Sequence, residues 1–149
     1  MLFGSELRCV WRIGACVGLM TLSACMDDGR RPVFPVSGKV TYQGKPTVDA
    51  LITFHPQNDS DPTSRPLMTR VAADGSYKLY TYEMDDGAPA GQYVVTVTWI
   101  KESDNQNAPK EDLRPAKNLV PDRFADAKTS PLNAQVKEQP NDFSFELAK

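Results

Sequence analysis

The stretch Ala90-Gly91-Gln92-Tyr93-Val94-Val95-Thr96-Val97-Thr98-Trp99 restricts the fold more than any other part of the chain. Tyr93, Val95, Val97 and Trp99 alternate with Gln92, Val94, Thr96 and Thr98, and a period of two places one set on each face of a strand. β-Branched and aromatic residues dominate the run, which suits a half-buried pleated surface and not a helix. One face carries a Tyr, two Val and a Trp. It is expected to enter a core as part of the central strand of a β-sandwich.

The surrounding sequence agrees. Val36 to Tyr42 alternates with Val36, Gly38, Val40 and Tyr42 on one side, and Gln43-Gly44-Lys45-Pro46 ends it with turn residues. Ala50 to Phe54 follows, with Ala50, Ile52 and Phe54 inward. It is expected to stop at His55-Pro56, because proline cannot donate to a strand ladder. Gln57 to Pro66 is a polar loop and Leu67 to Val71 a strand. Asp74-Gly75 lies between two β-rich runs and predicts a hairpin into Ser76–Tyr82. In that second arm Tyr77, Leu79 and Thr81 oppose Lys78, Tyr80 and Tyr82. Glu83 to Pro89 is an acidic loop, and Gly91-x-Tyr93 at a strand entry resembles a tyrosine corner, whose hydroxyl bonds back to upstream backbone.

Lys101 to Ser130 is polar and broken by Pro109, Pro115 and Pro121, with Leu119, Val120 and Phe124 available to pin its second half to the core. Leu132–Val136 and Phe143–Leu147 are the last strands, flanking a turn at Gln139-Pro140-Asn141. Twelve prolines and nine glycines among many Val, Thr and Tyr fit short strands joined by turns. The expected architecture for residues 36–149 is an all-β, Ig-like antiparallel sandwich of about seven strands.

The amino terminus reads differently. Arg8 and Arg12 precede the apolar run Ile13–Met20, which is shorter than the roughly 20 residues needed to cross a bilayer. Small residues follow, as in a secretory signal. Leu22-Ser23-Ala24-Cys25 resembles a bacterial lipobox. The resemblance implies cleavage before Cys25 and acylation of its sulfur and its amine, so membrane lipid is the first expected partner. One myristoyl-sized chain binds a membrane only reversibly, whereas two or three hold permanently. Met26 stands where an Asp would favour inner-membrane retention, and its presence favours the outer membrane. Losing residues 1–24 removes two Arg and one Glu and takes the formal net charge from −2 to −3. Residues 25–35, with Asp27-Asp28-Gly29-Arg30-Arg31 and prolines 32 and 35, read as an extended tether whose Arg30-Arg31 pair is solvated. The expected organisation is thus a signal peptide at 1–24, a lipidated Cys and tether at 25–35, and the sandwich at 36–149.

Little in this sequence points to catalysis. All three cysteines, Cys9, Cys16 and Cys25, precede the domain, which therefore has no disulfide, no thiol nucleophile and no thiolate metal site. His55 is the single histidine, beside Pro56 with no nucleophile motif near it, and reads as structural or exposed. Asp59 with Asp61, and Asp85 with Asp86, offer carboxylate oxygens but lack calcium-loop spacing, and read as solvated turns. No metal or other cofactor is expected. Charges of both signs are mixed without a basic stripe, which argues against nucleic acid as a partner. Tyr80 and Tyr82 are the candidate ligand face, since outward aromatic pairs stack on sugar rings or bury in interfaces.

Val36-x-Gly38-x-Val40-x-x-x-Gly44-x-Pro46-x-x-x-Ala50-x-Ile52-x-Phe54, then Ala73-Asp74-Gly75-Ser76-Tyr77, then Gly91-x-Tyr93-x-Val95-x-Val97 resembles the carboxypeptidase-regulatory-like, or transthyretin-like, β-sandwich. The tail from Pro121-Asp122-Arg123-Phe124 through Ser130-Pro131-Leu132 is similar to that of short bacterial lipoproteins with such a domain. The resemblance implies a non-catalytic cell-envelope interaction or structural module, its partner an envelope protein or a glycan; a carbohydrate-binding module is the alternative. The fold's hydrolases and its iron dioxygenases use several histidines, or two Tyr with two His. A lone His55 and the ending Phe145-Glu146-Leu147-Ala148-Lys149 fit neither.

Overall fold

The computed structural model describes residues 29–57, 64–100 and 117–149, and the chain divides into two compact units, residues 1–30 and 31–149. The strands of the described residues all belong to the second unit. Cys25 and its preceding Leu22, Ser23 and Ala24 lie outside the described residues, as do Asp59 and Asp61. No helix among the described residues is long and apolar enough to cross a membrane.

The domain is all-β and sandwich-like. One sheet has the order β5 (Leu67–Arg70), β4 (Leu51–Gln57), β8 (Gly91–Thr98), β9 (Leu132–Val136), with every neighbour antiparallel. β8 lies inside it, as its alternation predicts, with Tyr93, Val95 and Val97 buried. The other sheet is built on β2 (Val36–Tyr42). Along one edge of β2 run β6 (Ser76–Lys78) and β3 (Lys45–Pro46), antiparallel; along the other run β10 (Asn141–Asp142) and β11 (Phe145–Leu147), parallel. A short ribbon pairs β1 (Val33–Phe34) with β7 (Ala88–Pro89).

Phe54 of β4 sits at the centre of the core. Its ring centroid lies 6.1 Å from Tyr77, 6.4 Å from Phe143 and 6.4 Å from Phe145 of the facing sheet, and 6.0 Å from Tyr93 of its own. Tilted and edge-on pairs at such separations are the favoured aromatic geometry. Ala50, Ile52 and Phe54 are all buried, as expected, and the 3₁₀ turn Asp122–Phe124 buries Phe124 with Val120 beside it. Leu119 stays 39% exposed, so two of the three expected anchors engage.

Four features differ from the expectation. Seven antiparallel strands become eleven, several only two residues long, and β10 and β11 lie parallel to β2. Alternation is blind to strand direction. Direction is decided at Lys137–Asn141, where the Asn141 Oδ1 accepts from Lys137 N at 2.9 Å and its amide donates to Lys137 O at 3.0 Å. That turn carries the chain into the other sheet and not back along β9.

The Asp74–Gly75 turn likewise joins two sheets and not a hairpin. Ser76 O accepts from Ala72 N at 2.7 Å, after which β5 pairs with β4 while β6 pairs with β2. β4 runs on through His55 and Pro56 to Gln57, paired with β8 throughout. Ala50 O accepts from Val71 N, so even-numbered backbone groups of β4 face β5. The β4–β5 register ends at Phe54↔Leu67, and the missing N–H of Pro56 falls beyond it. Finally, the extended backbone expected of residues 25–35 is present at Val33–Phe34, but as a paired strand and not a free tether.

Candidate functional site

The Tyr80–Tyr82 segment is shaped by a single carboxylate. Asp86 accepts from Thr81 N at 2.6 Å, Tyr82 N at 2.9 Å and Glu83 N at 2.9 Å. β6 stops at Lys78 and does not reach Tyr82 as expected: Leu79 N still donates to Val36 O, the first residue of β2, and beyond it the Asp86 carboxylate satisfies the donors. The loop closes further where Gly87 N donates to Leu79 O at 3.1 Å and Thr81 Oγ1 donates to Gly87 O at 2.7 Å. Burial raises the Asp86 pKa, but the N–H groups of Glu83, Thr81 and Tyr82 together outweigh it and hold the carboxyl below the ordinary aspartate range. Asp85 pairs with Lys78 at 3.0 Å. Asp85 is the exposed turn residue that composition suggests, while Asp86 is held by the backbone.

Although the strand ends early, the alternation survives it. Tyr77 and Leu79 are buried while Tyr80 and Tyr82 are 48% and 43% exposed. The two tyrosines share one open cleft of about 400 Å³, a size within the roughly 300–1,000 Å³ of small-ligand sites. Arg65, just before β5, and Met68 within it form the opposite wall, and Pro89 and Tyr93 contribute from the entry to β8. A second cavity of about 280 Å³, lined by Pro56, Gln57 and Gln92, shares Arg31 and Tyr93 with the first.

Tyr93 fixes the junction. Its buried hydroxyl donates to Pro89 O at 2.8 Å, the bond expected of a tyrosine corner. Arg31 enters from the amino-terminal side: its backbone N–H donates to the Tyr82 hydroxyl at 3.1 Å and its guanidinium to Ala90 O at 3.5 Å. Sequence reasoning placed Arg31 in a solvated linker and assigned nothing to Arg65. Neither carries a local signal, since each reaches the cleft only through tertiary pairing.

His55 lies elsewhere. Its Nε2 shares a 2.9 Å hydrogen bond with Thr96 Oγ1 on the outer face of the four-stranded sheet, and partial burial lowers its pKa, favouring the neutral ring. It is not among the residues lining either cavity. Among the described residues no three His, Cys, Asp or Glu side chains converge to hold a metal.

No protein-family model matches this chain, and no curated protein does. Among solved structures it is similar to a DUF3823 family protein from Parabacteroides merdae, at 16% identity and a TM-score of 0.40, covering 79% of this chain and 47% of that one. The chain thus spans about half the length of that protein.

Proposed function

We propose that this protein is a lipid-anchored, extracytoplasmic binding module that performs no chemistry of its own. Acylated Cys25 holds it to the membrane, with the outer membrane favoured by Met26, and a transthyretin-like β-domain presents the Tyr80–Tyr82 cleft to an envelope partner or glycan. The observation that carries the reading is the cleft: two half-exposed tyrosines held in place by one carboxylate at three backbone N–H groups. A rigid aromatic platform binds without losing much conformational freedom, which favours recognition. The anchor rests on the match of Leu22-Ser23-Ala24-Cys25 to a lipobox.

Two measurements test it. Cells grown with labelled palmitate should yield labelled, membrane-bound wild type and unlabelled, released Cys25→Ala; equal membrane association of both variants would overturn the anchor. Ligand capture from envelope extracts and on a glycan array should fall in Tyr80→Ala/Tyr82→Ala. An unchanged capture profile, or ester or amide turnover that disappears in His55→Ala, would overturn the binding role.

A further inference from the structure

We infer that the cleft is built for an acidic oligosaccharide, a chain of sugar rings carrying carboxylates, with Arg65 as the group that reads the negative charge. The inference rests on the binding-module reading and adds the ligand class. The two cavities adjoin at Arg31 and Tyr93, which line both; Met68 and Tyr80 belong to the first and Gln57 and Gln92 to the second. A ligand several rings long can reach both, whereas a compact one fills only one.

The chemistry of the cavities is one-sided. The chain holds 19 acidic and 17 basic residues, yet among the described residues the two cavities are lined by two guanidinium groups and no carboxylate. Of the acids in the Tyr80–Tyr82 loop, Asp85 pairs with Lys78 and Asp86 with backbone N–H groups, while Glu83 is exposed but is not among the residues lining the cleft. Arg65 is exposed on the wall opposite the tyrosines, where its planar fork can take a carboxylate by two parallel hydrogen bonds. Exposed tyrosine faces accept the C–H face of a pyranose ring. The amides of Gln57 and Gln92, both exposed, each offer donors and an acceptor to ring hydroxyls. An acidic peptide would use the guanidinium but has no need for half-exposed rings beside paired amides.

The test uses the full mature protein in detergent micelles, with a galacturonate trimer, the same trimer reduced at its carboxyls, and a hexaglutamate peptide as probes, read by calorimetry. The galacturonate trimer is expected to bind at least about tenfold more tightly than its reduced form, because a bidentate charged pair is lost in the latter. Arg65→Gln should erase that preference while leaving the reduced trimer's affinity unchanged, and Tyr80→Ala should weaken both sugars by about tenfold. Both positions are exposed, and unaltered thermal unfolding would verify that the variants are folded. Equal affinity for acidic and reduced trimers would overturn the charge reading and leave a neutral-sugar module standing. Hexaglutamate binding that depends on Arg65 but not Tyr80 would overturn the sugar and substitute a peptide. Binding of neither sugar would overturn the inference, and the capture experiment with Tyr80→Ala/Tyr82→Ala then decides separately whether the cleft binds anything.

Discussion

Replacing Gly38 by Ala tests the crossing that holds the parallel edge of the domain in place. A Cβ at Gly38 would lie 2.5 Å from the carbonyl carbon of Phe143 and closer still to its oxygen, whereas ordinary van der Waals contact begins at 3.4 Å. The obstacle is backbone, so no side-chain rotation relieves it, and the chain around Phe143 must retreat by about an ångström. Retreat endangers two hydrogen bonds, from Phe143 N to Ser37 O at 2.8 Å and from the Tyr77 hydroxyl to Phe143 O at 2.6 Å. It also lifts the Phe143 ring from Phe54. Overpacking costs about 1–3 kcal/mol and one buried polar group left unsatisfied about 1–3 kcal/mol, so a loss of about 2–6 kcal/mol is expected. That is a large share of the roughly 5–15 kcal/mol that holds a domain folded. Gly44→Ala is the control. Nothing lies within 4 Å of a Cβ there, but φ is +75°, and the left-handed conformation alone costs about 1–2 kcal/mol. Denaturant titration of the purified protein, followed by tryptophan fluorescence, gives both values, provided the slope is unchanged. If Gly38→Ala loses no more than Gly44→Ala, the Phe143 backbone does not cross β2 at Gly38, and the parallel pairing is wrong.

Two further outcomes follow from single hydrogen-bonding groups. Tyr93→Phe leaves Pro89 O without its buried hydroxyl donor and is expected to cost about 1–2 kcal/mol in the same titration; a loss near zero would mean the corner contributes nothing to stability. Asp86 has a carboxyl held below the ordinary aspartate value of 3.8, so its contribution is complete above that pH and is lost as pH falls through the lower folded-state value. The amide resonances of Thr81, Tyr82 and Glu83 should report that titration with a midpoint below 3.8 and lose it in Asp86→Asn; a midpoint at or above 3.8 would refute the three-donor account.

Much of the core was legible because period-two alternation needs no tertiary knowledge. Tyr93, Val95 and Val97 are buried in β8, Ala50, Ile52 and Phe54 in and beside β4, and Tyr77 and Leu79 around the end of β6. β2 and β9 occupy the residues their patterns indicate. Pairing partners were not legible in the same way. Asp74-Gly75 specifies a tight reversal, and the chain does reverse there, but nothing local states whether the two arms remain in one sheet. Pro56 shows the same limit: a missing N–H ends a strand only if a partner lies on that side, and which side is open depends on where β5 stops.

The cleft divides along the same line. Tyr80 and Tyr82 are exposed, as their parity with Lys78 predicts, although the backbone bends at Thr81–Glu83 after the ladder has ended. The opposite wall depends on contacts that no spacing encodes. Arg31 meets Tyr82 across 51 positions, and Arg65 precedes a strand that reaches the cleft only because β4 lies between it and β8. Asp86 is the link between the two kinds of information. Its position four residues after Tyr82 is ordinary turn composition, yet by accepting from three N–H groups it fixes the backbone that carries an outward-facing pair of rings. Among the described residues lining the cleft the charged groups are the guanidinium groups of Arg31 and Arg65, which favours the acidic ligand that Arg65 is placed to attract.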